Sequence, residues 1–114
     1  MNEQGKYYEQ LALVYLQQQG LQLVQQNFSC KAGEIDLIMR QQQCWVFVEV
    51  KYRASAAYGG ALAAVTRSKQ QKVLRSVQYY QQLHSLTQQP CRIDVLAIEG
   101  QAPYRYNWLQ NAFS

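Results

Sequence analysis

WVFVEVKYR, residues 45–53, reads as a strand from the middle of a sheet. Trp45, Val46, Phe47, Val48 and Val50 are β-favouring and apolar on both sides of the strand's alternation, which indicates burial on two faces. Glu49 and Lys51 interrupt the run, and a central strand is a costly place for charge. Both fall at its C-terminal end, where ligands bind in open α/β sheets. Side chains alternate, so Glu49 and Lys51 share a face with Trp45 and Phe47, opposite the valines.

The preceding stretch, EIDLIMR at 34–40, is separated from this strand by a short polar turn, so the two should form an antiparallel hairpin. Alternation puts Glu34, Asp36 and Ile38 on one face and Ile35, Leu37 and Met39 on the other. If Arg40 pairs with Trp45, Asp36 lies opposite Glu49, and Glu34 opposite Lys51. If Arg40 pairs with Cys44, Asp36 turns to the far face. One residue of register decides it. The first pairing, or a compensating bulge, is expected because it gathers the polar groups together.

Working outward, residues 3–19 carry Tyr8, Leu11, Ala12, Tyr15 and Leu16 at helical period, with Asn2 as a cap and Gly20 as the stop. A strand follows at 21–29. Beyond the hairpin, the loop ASAAYGG leads to a helix near 62–84, then a strand CRIDVLAIE and an edge strand in YRYNWLQ. The order αβββαββ predicts one α/β domain over 1–114, three-layered, with a mixed central sheet.

The bulk properties agree with an ordinary globular chain. Its 114 residues suffice for one core, and 48% hydrophobic against 16% charged residues argues against disorder. The net charge is +4, and between Glu49 and Asp94 there is no acidic residue at all. An anionic partner is favoured. Cys30, Cys44 and Cys91 are odd in number and lack CxxC spacing, so they read as buried thiols of a reducing compartment. No apolar run approaches membrane-spanning length and the N-terminus has no apolar signal core, so a cytoplasmic protein with no membrane partner is expected.

Two opposed carboxylates repel unless a cation sits between them. A hard divalent ion such as Mg²⁺ (or Mn²⁺) fits Asp36, Glu49 and the backbone carbonyl of Val50, with substrate phosphate completing its shell. Lys51 then stands where it can orient a water or steady charge growing on a phosphate. The competing reading is a surface Glu49–Lys51 ion pair, worth little. From the residues alone both stand open.

Other residues carry the same two-sided reading. Glu9, on the helical face of Leu13 and Leu16, can lean over the sheet as a third acid or pair with Lys6. Lys69 and Lys72 can touch phosphates or form a solvated basic face, and Arg53 belongs to the same basic stretch. Gly59 and Gly60 fit a loop that approaches phosphate, or a plain turn. Asp94 reads as the partner of Arg92, and His84 as structural. Tyr52, Tyr58, Tyr79 and Tyr80 can stack on bases or sit at the core margin.

GEIDLIMR, WVFVEVKYR, Tyr58-Gly59, RIDVLAI and the terminal NAF together resemble the YraN-like (UPF0102) family of small bacterial proteins of uncharacterised function. That family is similar to restriction-endonuclease-like nucleases of the PD-(D/E)xK type and to archaeal Holliday-junction resolvases. The resemblance implies Asp36 and Glu49 as metal ligands, Lys51 as the catalytic lysine and Glu9 as the helix acid. It implies an endonuclease acting on branched or structured DNA, as a homodimer if junctions are cut symmetrically. The chain departs from the pattern at Tyr52, where Thr is usual, and in the GGALAAV loop. The alternative is a nucleic-acid-binding module that keeps the nuclease fold without turnover.

Overall fold

The computed structural model describes residues 3–55 and 60–114. Asn2, Tyr58 and Gly59 therefore lie outside the described residues. Helix α1 (Glu3–Gln18) leads to β1 (Gln22–Cys30), β2 (Gly33–Gln41) and β3 (Cys44–Arg53). A short 3₁₀ turn (Ala61–Ala64), helix α2 (Arg67–Leu83), β4 (Cys91–Glu99) and β5 (Arg105–Leu109) complete the order αβββαββ.

All five strands join one sheet in sequence order. The β3–β4 pair is parallel and the other pairs antiparallel, so the sheet is mixed. A parallel pair needs a crossover, and α2 supplies it. Helix α1 covers one face: Ala12, Leu13 and Leu16 pack on Leu37, Met39, Val46, Val48, Leu96 and Ile98. Helix α2 covers the other, with Val73, Val77 and Tyr80 against Ile38, Phe47 and Ile93. The result is the three-layer α/β architecture expected. Leu16 is fully buried, and its truncation to Ala would cost about 2–5 kcal/mol.

Chain ends of the elements follow local chemistry. Gly20 closes α1 at φ 97°. Its N–H reaches Gln17 O, and Leu21 N–H reaches Leu16 O at 3.0 Å, the double bond of a Schellman end. The second helix starts later than periodicity suggests. Ala61–Ala64 forms only a 3₁₀ turn, Val65 is extended, and Thr66 caps α2 by accepting the Lys69 N–H. A hydroxyl that satisfies a free helical donor outweighs the helix-favouring alanines upstream.

Two other expectations change. Cys91 is exposed and Cys30 and Cys44 only half-buried, so the thiols, though all unpaired, are not core residues. Ile35 does not share the cluster of Leu37 and Met39; it packs with Phe28 and Ile38 on the α2 side. The strict alternation of β2 fails just where the candidate site begins.

Candidate active site

β2 and β3 are in the register that pairs Arg40 with Trp45. The ladder runs to Leu37 opposite Val48 and goes no further. Beyond it the strands part, and Asp36 fills the gap: its Oδ2 accepts the Val50 N–H at 2.8 Å. A strand residue turns its N–H and C=O to the same side. The Val50 carbonyl is thus turned toward the same gap.

Glu49 arrives next to Asp36 from β3 and is only 3% exposed. Its Oε1 lies 3.7 Å from Lys69 Nζ on α2, while its Oε2 is buried with no hydrogen-bond partner. A buried ionised oxygen without a partner is expensive. The reading of Glu49 as half of a surface pair with Lys51 is therefore overturned: the acid is interior, and the cation that touches it is Lys69.

The remaining groups converge from three elements. Glu9 reaches in from α1, where Asn27 Nδ2 of β1 donates to its Oε1 at 2.9 Å. Of the two readings of Glu9, the one that leans over the sheet is the one observed. Glu9, Glu34, Asp36, Glu49, Lys51 and Lys69 line one cavity of about 420 Å³, with Tyr8 and Tyr52 along its wall. The two tyrosine rings stack with centroids 4.2 Å apart. Glu34 pairs across to Ser29 of β1, and it shares the cavity lining with Lys51 rather than facing it across the β2–β3 ladder.

The electrostatics record the crowding of acids. Burial, then the Asp36 charge, pushes the Glu49 carboxyl up to about 8, against the pull of Lys69 and Lys51. Burial raises Asp36 as well, although the Val50 N–H and Lys69 oppose it. Glu9 rises to about 7, through burial first and then the charges of Asp36 and Glu34. Such raised acids are the mark of a site short of positive charge.

The donor set suits a hard cation. It offers two adjacent carboxylates, one with an unsatisfied oxygen, and a carbonyl turned into the same space, all oxygen ligands. Among the described residues, no three His, Cys, Asp or Glu side chains form a group able to hold a metal. Glu9 feels the charge of Asp36 but does not join a three-acid cluster with it and Glu49.

The other predicted residues fall in several places. Lys69 faces the cavity. Lys72 is exposed one helical turn on, its Cβ packed beside Gly33. Arg53 is engaged at the end of β3, bonding Gly60 O at 2.7 Å and lying 3.7 Å from Glu99. Asp94 does pair with Arg92, at 3.0 Å, and also accepts from Trp108 Nε1 and Asn111 N, both at 2.9 Å. It is a structural hub, away from the cavity. His84 caps α2 against the Tyr80 ring. Of the tyrosines proposed to stack, Tyr80 is core and Tyr79 half exposed.

Asn27 and Tyr8 are the residues that sequence reasoning passed over. Asn27 has φ 56°, a left-handed conformation that Asn tolerates well, and an Asn inside a strand segment is the signal that was there to read. Tyr8 appeared only as a helical core position.

One property of the surface follows from burial alone. Of seven acidic residues, five are buried: Glu9, Asp36, Glu49, Asp94 and Glu99. Arg53, Lys69 and Arg92 pair with buried acids, while Lys6, Lys31, Arg67, Lys72, Arg75 and Arg105 are exposed with only Glu3 as an exposed acid. The chain's excess of base therefore lies on its exterior.

Fold and site together define a small three-layer α/β protein with paired interior carboxylates opening beneath a basic exterior. The chain belongs to the Uncharacterised protein family UPF0102, whose sequence model matches residues 8–98. It is 50% identical over 111 residues to a UPF0102 protein of Aeromonas hydrophila, covering 96% of this chain and 83% of that one. It is 49% identical over 114 residues to one from Saccharophagus degradans, covering 99% and 94%. A relative from Legionella pneumophila is 46% identical over 112 residues, covering 97% and 94%. The expected YraN-like membership holds.

Proposed function

We propose that the protein is a metal-dependent nuclease that hydrolyses phosphodiester bonds in nucleic acid, with DNA in branched or otherwise structured form as substrate. The observation that carries the reading is the abutment of Asp36 and Glu49 with one buried carboxylate oxygen unpartnered. A protein that only bound a partner would have no use for two carboxyl groups crowded together inside it.

A divalent cation at Asp36, Glu49 and the Val50 carbonyl would supply phosphodiester polarisation and a more acidic water. The chain's own groups do the rest. Lys51 sits close enough to both acids to lower their proton affinity, and its ammonium is placed to steady negative charge on the phosphate. Lys69 holds Glu49 in place from the side of α2. Glu9, held by Asn27, lines the same cavity and would take or return a proton there. The cationic exterior draws the polyanion in. Among the described residues, no helix is long and apolar enough to cross a membrane.

The test incubates the protein with Mg²⁺ or Mn²⁺ and single-stranded, duplex, flap, fork and four-way DNA, beside Glu49→Ala and Lys51→Ala. Cleavage should vanish in both variants while DNA binding survives. Cleavage retained in both would mean the site is wrongly assigned. Binding without cleavage under every metal tried would favour the non-catalytic module. Phosphate-mediated binding should weaken steeply with added salt, and no DNA affinity at any salt concentration would point to a protein partner instead.

A further inference from the structure

A second cavity, of about 500 Å³, opens between the β1–β2 turn and α2, where Cys30, Lys31, Arg75 and Tyr79 line it. Its volume falls in the range of sites that take small organic ligands. The Tyr79 ring is 49% exposed, Lys31 and Arg75 are exposed, and neither is in an ion pair among the described residues. A half-open aromatic ring beside two unneutralised cations is the chemistry that takes a base by stacking and its phosphate by charge.

The walls of this cavity touch one another. The Cys30 thiol lies 3.6 Å from Ser76 Oγ, which itself donates to Lys72 O at 2.9 Å. Gly33 has φ 150°, and a Cβ there would meet Lys72 Cβ and Ser76 Oγ at 3.5 Å. The turn therefore lies against the helix at van der Waals distance.

Position matters as much as chemistry. Ala32, in the turn just before β2, lines this cavity and Glu34, two residues on, lines the carboxylate cavity, so the two cavities are neighbours along the chain. Along α2, Arg75 lies six residues beyond Lys69, about 9 Å at helical rise. That span matches two to three nucleotides of a stacked strand at about 3.4 Å each. Lys72 stands between, also free of ion pairs among the described residues.

Building on the nuclease reading, we infer that the Lys31–Arg75–Tyr79 cavity is a subsite for one unpaired nucleotide of the substrate, a few positions from the bond at Asp36 and Glu49. Selection for unpaired strand would then reside in the turn and α2, outside the carboxylate cavity.

The test measures binding without turnover, in EDTA, of oligonucleotides carrying a fluorescent base in an unpaired segment and of a fully paired duplex. Tyr79→Ala should weaken the unpaired-strand complex about tenfold, from the loss of one stacked base, and abolish quenching of the probe. Tyr79→Trp should retain both, and duplex affinity should not change with either. Lys31→Ala with Arg75→Ala should lower the salt slope by about 1.4, two phosphates' worth on a single strand. Unaltered quenching and affinity in all three variants would overturn the subsite. Tyr79-dependent quenching in a parent protein that never cleaves would leave the subsite standing and remove only the nuclease reading. No binding of any oligonucleotide would end both.

Discussion

Asp36 Oδ2 accepts the Val50 N–H at 2.8 Å, in the place where a β2 carbonyl would otherwise have carried the ladder past Leu37 and Val48. The same carboxylate is thus a structural acceptor and a candidate cation ligand. Asp36→Asn keeps an acceptor of the same shape and should preserve the fold. It should also remove any stabilisation by Mg²⁺, measured as the cation-induced rise in melting temperature. A full Mg²⁺ response in Asp36→Asn would show that the ion binds elsewhere.

The raised carboxyls make stability fall with pH. Glu49 rises from 4.5 to about 8 and Glu9 from 4.5 to about 7. The folded state therefore holds more protons than the unfolded chain across that window, and the slope of unfolding free energy against pH is negative. Stability is greatest below about pH 4.5 as far as these groups are concerned, and is lost up to about pH 8. Melting curves in EDTA should drop by about 5 °C or more over this range. Glu49→Gln, neutral throughout, should flatten the drop, and Mg²⁺ should offset it at the alkaline end. A melting temperature that climbs across the window would contradict the arrangement of acids.

Asn27 should matter more to the site than to the fold. Asn27→Gly suits φ 56° and removes only the bond to Glu9. Folding should persist, while cleavage falls about ten- to a hundredfold as Glu9 loses its anchor. Asn27→Leu should additionally lower the melting temperature, because its backbone is strained there. Equal activity in Asn27→Gly and the parent would assign Glu9 no part in the chemistry.

Asp94 is 0% exposed and takes bonds from Arg92, Trp108 and Asn111. Asp94→Ala leaves a part-buried guanidinium and indole short of their acceptor, at a cost of about 1–3 kcal/mol. Trp108→Phe removes one donor and should cost about 1 kcal/mol. Chemical denaturation checks both. A small loss in Asp94→Ala would mean the hub is dispensable.

Much of this was legible because polar residues in an apolar strand have few places to go. The Arg40–Trp45 register could be chosen by asking which pairing gathers Asp36, Glu49 and Lys51. Gly20 announced the end of α1, and Arg92 its bond to Asp94. What escaped depends on contacts distant in sequence. Period-two reasoning assumes an unbroken ladder, so it misplaced Ile35, where a side chain replaces the strand. The late start of α2 turned on whether Thr66 would cap, a local competition that apolar periodicity does not register. Trp108 and Asn111 reach Asp94 from 14 and 17 residues away. Composition reports the number of acids but not that five lie inside.

The outermost strand, β1, has consequences beyond the site. Val24 is an extra residue between the Leu23–Met39 and Gln25–Ile38 pairs, and it is exposed. Such a bulge twists a free edge away from would-be partners. The edge is rich in glutamine, a residue suited to stacked side-chain ladders in fibrils. Excising Val24 would leave a straight, glutamine-lined border open to strands of other molecules. Light scattering should then report edge-to-edge self-association in a chain that is otherwise correctly folded.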